Sequence, residues 1–443
     1  MLIQRRADIN SQTGFMGEKQ TVDQQKNTWK GIKQSLGPGL LMAAAAIGVS
    51  HLVQSTRAGA TYGFALIWAV LLANFFKYPF LEYGPRYAIA TGESMIEGYN
   101  RLGKWAIGIF VIFTLGTMFA VQAAVTIVSA SLAAELTGIA LSPLAWSAIL
   151  LVICIALLMS GQYSALDSAI KLIMIVLAIS TIVALGAALF QGGQHEVASY
   201  YPSIWDVAGV SFLIALMGWM PIPIDAAAWH SLWTLEREKQ TQYRPRLKES
   251  LLDFNIGYIG AALLALGFLL LGALVMYGSG EEYASSGAIF ANQLLGLYTE
   301  SLGDWLYPVI IICAFTTMFS TTLTVTDAYP RVSRRMMEVL MPDTMREKNN
   351  LRVYRILLVV ISLLSLGVLY FLGDSFTLMV DLATTLSFLT APVLAYLNYK
   401  LVTAEHMPDD CKPQPWLKWL SWSGLVFLTG FALLYLYWII RFG

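Results

Sequence analysis

Charged side chains are scarce in this sequence. Of its 443 residues, 13% are Asp, Glu, Lys or Arg and 57% are hydrophobic, whereas a soluble domain carries about 25% charged residues. A soluble fold cannot bury that much apolar surface, because its core volume grows too slowly with chain length. The shortage of charge therefore predicts an integral membrane protein, whose helices satisfy their own backbone hydrogen bonds inside the lipid bilayer.

Several signatures of other protein classes are also missing. Cys154, Cys313 and Cys411 lie far apart and form no CxxC pair, which argues against a disulfide framework or a cysteine metal site. The net charge is zero, so we expect no nucleic-acid partner. The chain has no HExxH or GxSxG motif and no acidic metal cluster, so we expect no enzyme and no cofactor. We also expect no cleavable signal peptide, because residues 1–36 are polar and the first apolar segment is too long for one.

Eleven apolar segments approach the ~20 residues that a helix needs to cross a bilayer. We number them spans one to eleven, at residues 37–60, 64–88, 106–136, 143–160, 167–190, 205–231, 253–277, 305–328, 353–372, 375–398 and 417–440. One set of alternate loops is rich in Arg and Lys, and the other has none until Arg441. The positive-inside rule then predicts a cytoplasmic N-terminus and an external C-terminus. The compact chain and short loops suggest a bacterial inner membrane.

Spans one and six contain residues that interrupt a membrane helix. Pro221 and Pro223 each remove a backbone donor from span six and clash with a preceding carbonyl. The middle of span one holds Gly48, Ser50 and His51, and these are followed by Gln54, Ser55, Thr56 and Arg57. Paired interruptions in two inverted halves are the best sequence pointer to the midplane site of a transporter. A proline kink and a packing glycine are the alternative, but the paired positions favour a secondary transporter.

Several motifs resemble the Nramp family of divalent metal transporters. They are GPGLL (37–41), AGATYGF (58–64), LLAN (71–74), IATG (89–92), HS (230–231), LKESLLDFNIG (247–257), STTLT (320–324) and LSFLTAPVLAYL (386–397). The resemblance runs from about residue 30 to residue 400. It implies a LeuT-type core of two inverted five-helix halves, residues 37–190 and 205–398. A polar cytoplasmic segment (1–36) would precede this core, and a cytoplasmic linker with a peripheral eleventh helix (399–443) would follow it.

The side chains that bind metal in that family are replaced here. The family's Asp-Pro-Gly-Asn, its Met-Pro-His and a Gln of its tenth helix fall on Gly48-Val49-Ser50-His51, on Pro223-Ile224-Asp225 and on Thr384. The two backbone carbonyls of the family's site map to Ala45 and Met220. Without the methionine thioether, a preference for Mn²⁺ or Fe²⁺ over Mg²⁺ or Ca²⁺ loses its physical basis.

The residues at the two breaks form the predicted substrate site. They are Ala45, Gly48, Ser50, His51, Gln54, Met220, Pro223, Asp225 and Thr384. Asp225 and His51 are the candidate metal ligands, and a partly hydrated Mg²⁺-like ion needs only one or two carboxylates. The alternatives are that Asp225 caps a half-helix and that His51 is a satisfied interior histidine.

Arg57 and His230 are the predicted coupling or gating residues. Arg57 would repel an approaching dication but would suit an anionic or zwitterionic solute. Its alternative role is a structural pair with an acid such as Glu135 or Asp327, or extension of its side chain to the outer membrane interface. His230 matches the family's proton-path histidine, and an imidazole inside a bundle suits proton relay. Packing or capping is the alternative for His230.

These residues support one leading hypothesis and two alternatives. The leading hypothesis is a secondary transporter that moves a divalent cation, hard or partly hydrated, by alternating access, with protons as a candidate partner. The alternatives are a transporter of a small organic or anionic solute and a transport-inactive receptor or sensor. In span two, Lys77, Glu82 and Arg86 are expected to form an ion-paired cytoplasmic end. The sequence does not determine the oligomeric state.

Overall fold

The computed structural model describes residues 31, 34–160, 163–191, 202–278, 287–342, 350–372 and 376–442. Within these ranges the chain is helical and has no strand. Its helices are α1 (Pro38–Ala46), α2 (Thr56–Tyr62), α3 (Ile67–Thr91), α4 (Met95–Leu102), α5 (Lys104–Thr137), α6 (Pro143–Ser160), α7 (Tyr163–Gln191), α8 (Val207–Gly218), α9 (Ala226–Thr241), α10 (Leu247–Leu271), α11 (Gly287–Leu302), α12 (Tyr307–Leu340), α13 (Asn350–Leu372), α14 (Phe376–Val402) and α15 (Pro415–Phe442). The predicted N-terminal segment 1–36 lies almost wholly outside the described residues.

The helices follow the predicted order of spans. Span one is α1 and α2 with a π-helical turn between them, and span six is α8 and α9; α4 and α11 are additional helices between spans. Eight of the described helical segments are long and apolar enough to cross a membrane. The described apolar parts of spans five and six are shorter, and span two carries three charged side chains. The multi-pass architecture is confirmed, while the count of eleven spans stays a prediction.

Glycines allow span one to pack closely against span seven. A Cβ on Gly39 would overlap the backbone of span seven, and a Cβ on Gly257 would overlap the backbone of Gly39. Gly59 and Gly272 make the same reciprocal approach in the other half of span one. Small residues at helix crossings allow this close van der Waals packing in membranes. Span one is therefore held to span seven on both sides of its break.

We call the end of the bundle with the Arg- and Lys-rich loops the basic end, and the other end the opposite end. At the basic end, the Asp253 carboxylate accepts hydrogen bonds from the backbone amides of Gly37 (3.0 Å) and Gly39 (2.6 Å). A carboxylate at a helix N-terminus satisfies amides that have no partner within the helix and opposes the positive end of the helix dipole. Asp253 thus fixes the start of α1 to span seven.

The peripheral helix α15 is attached to span two. The hydroxyls of Tyr83 and Ser421 lie 2.6 Å apart. The Arg86 guanidinium donates to the carbonyl of Cys411, in the linker before α15, at 2.8 Å. Arg86 also pairs with Glu82 at 2.5 Å. The predicted ion pair between Glu82 and Arg86 is therefore confirmed.

Candidate transport site at the breaks of spans one and six

The predicted break in span one is present. The helix α1 ends at Ala46, and a π-helical turn over Val49–Ser55 leads into α2. Gly48 lies against Thr321 of span eight, whose side chain a Cβ would approach to 2.6 Å. The Thr321 hydroxyl donates to the carbonyl of Ala44 at 3.0 Å. The glycine therefore allows a hydroxyl of span eight to reach the end of α1.

Span six is also broken, as its two prolines predict. The helix α8 ends at Gly218 and α9 begins at Ala226, which leaves a non-helical connection between the half-helices. Asp225 stands at the N-cap position of α9, but its side chain makes no capping hydrogen bond. Its carboxylate does interact with the backbone amide of Ala226 at the start of α9, so a capping role for Asp225 stays a prediction.

A cavity of about 20 Å³ lies between the two breaks. It is lined by Ala45, Ala46, Val49, Ser50, Val121, Val125, Trp219, Pro221, Ile222, Pro223, Trp229, Thr321 and Val325. Two hydroxyls and two indoles are the polar side-chain groups in this lining, and the other lining side chains are apolar. The volume holds about one water molecule, so any larger cargo requires the half-helices to move.

The predicted substrate residues divide into two groups. Ala45, Ser50 and Pro223 line the cavity. Gly48 packs on span eight, and Met220 is fully buried in the surrounding core. The Thr384 hydroxyl donates to the carbonyl of Val380 within its own helix at 2.8 Å, and its backbone packs against Gly218. Thr384 thus holds span ten against α8, and it does not line the cavity.

His51 points away from the cavity. Its Nε2 lies 2.8 Å from the carbonyl oxygen of Ala261 in span seven, and its Nδ1 lies 2.7 Å from the hydroxyl of Ser50. Because a carbonyl oxygen only accepts, Nε2 carries a proton. Both ring nitrogens are engaged, so neither can bind a metal in this conformation. In this conformation His51 is a satisfied interior histidine that joins spans one and seven, and its role as a metal ligand stays a prediction.

Lys77 of span two lies beside the break in span six. Its ammonium donates to the carbonyl oxygens of Met217 at 2.6 Å and Gly218 at 2.7 Å, and the side chain is fully buried. These carbonyls form the C-terminal end of α8, where the helix dipole is negative. The carboxylate of Asp225, across the break, acts electrostatically on the same ammonium. Lys77 is therefore part of the site.

The sequence-based expectation for Lys77 is wrong. It assigned this lysine to an ion-paired cytoplasmic end together with Glu82 and Arg86, and those two residues pair with each other instead. A usable signal was present, because a charged residue in the middle of an apolar span is a functional candidate by default. Sequence reasoning gave that signal too little weight.

The described residues do not assemble a multidentate metal site. Among the described residues, no group of three or more His, Cys, Asp and Glu side chains is placed to hold a metal ion. His51 is engaged with spans one and seven, whereas Asp225 lies near Lys77. The two predicted ligands therefore do not act together in this conformation.

Arg57 pairs with Asp381 of span ten. One guanidinium nitrogen donates to both carboxylate oxygens, each at 2.9 Å. The amide of Gln54 donates to the same carboxylate at 3.0 Å, and the guanidinium lies 4.7 Å from the ring centre of Phe212. Gln54 and Arg57 thus join spans one and ten at the opposite end, and neither lines the cavity.

The two acids considered as partners of Arg57 are engaged elsewhere. Glu135 accepts a hydrogen bond from Tyr307 at 2.6 Å, and Asp327 pairs with Arg331 at 2.9 Å. The proposed pairs of Arg57 with these acids are therefore wrong, although the prediction that Arg57 has an acidic partner is right.

His230 lies in α9 and is fully buried. Its ring packs on Phe254 with 5.8 Å between ring centres. Neither ring nitrogen has a hydrogen-bond partner among the described residues. A capping role is therefore not supported, and its role in proton transfer stays a prediction.

Two broken spans around a central cavity, in a bundle of membrane helices, define a secondary-transporter architecture. A model of the natural resistance-associated macrophage protein-like family, Nramp, matches residues 39–438. The chain belongs to this family, so the resemblance seen in its motifs is confirmed. Because the members of this family are transporters, the prediction that the protein is not an enzyme is confirmed as well.

Relatives of known sequence extend over nearly the whole chain. An uncharacterized protein of Pasteurella multocida is 36% identical over 415 residues, which are 93% of this chain and 94% of that protein. A divalent metal cation transporter of Listeria innocua is 23% identical over 412 residues, with 89% of this chain and 87% of that protein covered.

Solved structures share the fold. A manganese transporter of Eremococcus coleocola has a TM-score of 0.68 at 15% identity and covers 92% of this chain and 86% of its own. The protein MhsT, solved in complex with L-phenylalanine, has a TM-score of 0.61 at 14% identity and covers 90% of this chain and 97% of its own. A manganese transporter and a protein with bound L-phenylalanine thus share this fold, so the fold alone does not identify a cargo.

Proposed function

We propose that this chain is a secondary-active transporter that works by alternating access about the breaks of spans one and six. The cavity between the two breaks is the observation that carries the proposal. Different side-chain pairs join the helices at the two ends of the bundle, and in this proposal each pair closes one side. Arg57 and Asp381 join at the opposite end, and Arg335 pairs with Glu97 at the basic end.

The packing of span one supports a particular motion. Both halves of span one lie against span seven through glycines, and Asp253 fixes the start of α1. These backbone contacts favour a body in which spans one and seven move together. The contacts that must break are the side-chain pairs at each end, which are cheaper to separate than packed backbone.

The basic end faces the cytoplasm in this proposal, in accordance with the positive-inside rule, and the membrane is a bacterial inner membrane.

A divalent cation is the first candidate cargo, because curated relatives are named divalent metal cation transporters. The family's soft ligand is replaced here, so we infer that the ion keeps part of its hydration shell, as Mg²⁺ does at sites with one or two carboxylates. Asp225 supplies the negative charge nearest the break, and the hydroxyls of Ser50 and Thr321 supply oxygen contacts in the cavity. Protons are the candidate coupling ion, with His230 as their acceptor.

A small organic or anionic solute is the second candidate. The cavity lining favours it, because aliphatic side chains and prolines outnumber the two hydroxyls and the two indoles. Lys77 also offsets the charge of Asp225 at the break. A solute without net positive charge therefore meets less electrostatic cost than a dication does.

Uptake into proteoliposomes tests the proposal. The wild type is expected to accumulate Mg²⁺ or Mn²⁺, and Asp225→Ala is expected to abolish that uptake. Asp409→Ala, a change at an exposed carboxylate of the linker, is the matched control and should leave uptake unchanged. If the wild type moves no divalent ion across a broad panel but moves an organic solute, the first candidate cargo is rejected and the second is supported.

Two further measurements complete the test. An imposed pH gradient should drive divalent uptake if protons are coupled to it. A solute that stabilises the purified protein against heat without any flux would reject transport and support a receptor or sensor.

A further inference from the structure

Lys77 occupies a position at which a cation would bind. In transporters with broken helices, the C-terminal carbonyls of half-helices are the groups that coordinate ions. Here the Lys77 ammonium lies 2.6 Å and 2.7 Å from two such carbonyl oxygens, those of Met217 and Gly218. Its side chain is fully buried, so the ammonium lies at the span-six break and out of contact with water.

We propose that Lys77 is a tethered cation that competes with cargo cations at this break and so sets the charge selectivity of the transport site. This inference rests on the proposed cation transport. A cargo cation drawn to Asp225 and to the end of α8 must either displace the ammonium or bind beside it. Since like charges repel strongly where water is excluded, the site binds dications more weakly with Lys77 than without it.

The charges around the break support competition. Asp225 is the carboxylate that acts on the ammonium. Glu82 is paired with Arg86, and Asp381 is paired with Arg57, so these two carboxylates are already compensated. A dication beside Lys77 would therefore leave excess positive charge in the bundle, which is costly to bury.

A purely structural role is the alternative to competition. In that case Lys77 only satisfies two carbonyl oxygens and holds α8 against span two. Such a role requires a hydrogen-bond donor but no charge. Variants that remove the charge while keeping the length or a donor therefore separate the two explanations.

The test measures the affinity of purified wild-type protein and three variants for Mn²⁺ and Mg²⁺ by titration calorimetry. Lys77→Met keeps the length of the side chain, Lys77→Gln keeps an N–H donor, and Lys77→Arg keeps the charge. We expect Lys77→Met and Lys77→Gln to bind the ions about tenfold tighter or more, and Lys77→Arg to match the wild type. Adding Asp225→Asn should remove the gain.

Elution volume and melting temperature show whether each variant is folded. The proposed competition is overturned if folded Lys77→Met and Lys77→Gln variants bind the ions with wild-type affinity, more weakly or not measurably. Loss of the fold in both would also overturn it, in favour of the structural role. If Lys77→Met alone fails to fold, Lys77→Gln decides the test.

Failure of the proposed competition and failure of the proposed function give different results in the binding and flux measurements. Tighter ion binding by the charge-removing variants, with no divalent flux in the wild type, would reject the proposed cargo but leave the competition standing. Divalent flux in the wild type, with unchanged affinity in folded variants, would reject the competition and leave the proposed function standing.

Discussion

Arg57 of span one and Asp381 of span ten join two spans across the opposite end of the bundle, with hydrogen bonds of 2.9 Å to both carboxylate oxygens. Their side chains are 23% and 32% exposed. An ion pair with that much access to water contributes about 0–1 kcal/mol. The contact is therefore specific enough to close the transport path at the opposite end and weak enough to open again.

Asp381→Asn is expected to favour opening at this end. It removes the charge that holds both Arg57 and Gln54, while the melting temperature should change little because the pair is partly exposed. The measurement is the distance between spin labels on spans one and ten, which should shift to longer values. Lys412→Ala breaks an exposed ion pair in the linker and serves as the control. An unchanged distance distribution in Asp381→Asn would contradict a gating role.

Asp253→Asn should destabilise the protein. The carboxylate accepts from the amides of Gly37 and Gly39, and an asparagine would place an NH₂ group against one of them. The loss of a charge-assisted hydrogen bond costs on the order of 1–3 kcal/mol, which a thermal melt in detergent would record as a lower melting temperature. Asp409→Asn provides the comparison at an exposed linker position. Equal melting temperatures for the two variants would refute the anchoring of α1 by Asp253.

Two glycines of span seven form a matched pair for testing its packing. Gly257→Ala should push span one away, because the added Cβ would overlap the backbone of Gly39. Overpacking of this kind costs roughly 1–3 kcal/mol. Gly260→Ala, one turn away on the same helix, meets nothing within 4 Å and should be tolerated. The prediction fails if both variants melt at the same temperature.

His51→Leu distinguishes a structural role of His51 from a role as a metal ligand. The change leaves the carbonyl of Ala261 without its side-chain donor, which costs about 1–3 kcal/mol when such a group is buried. The hydroxyl of Ser50 keeps the carbonyl of Ala46 as its acceptor at 2.7 Å. We expect a lower melting temperature but an unchanged affinity for divalent ions in calorimetry. A large loss of ion affinity in folded protein would restore His51 as a ligand.

The breaks of the two spans could be predicted from sequence because proline and glycine act on the backbone next to them. Pro221 and Pro223 interrupt span six whatever surrounds it, and the break in span one lies at Gly48. The apolar lengths similarly predicted the order of the helices. These features depend on local chemistry, which a single sequence contains.

The partners of polar side chains could not be predicted in the same way. The π-helical turn at Val49–Ser55 determines the direction of His51, and it places the ring against span seven. Lys77 and Asp381 are distant in sequence from the carbonyls and the guanidinium that they meet. Such contacts depend on how spans two and ten approach the breaks, and no local pattern records that approach.

Reaction of a cysteine at Ala45 tests most directly whether the cavity is reached alternately from the two sides. Ala45 lines the cavity, and replacement of Cys154, Cys313 and Cys411 by alanine leaves it as the target. A membrane-impermeant thiol reagent is applied to either face of sealed vesicles. Alternating access predicts reaction from both faces, with Asp381→Asn raising the rate from the opposite end and lowering it from the basic end. Reaction from one face alone, unchanged by Asp381→Asn, would contradict alternating access.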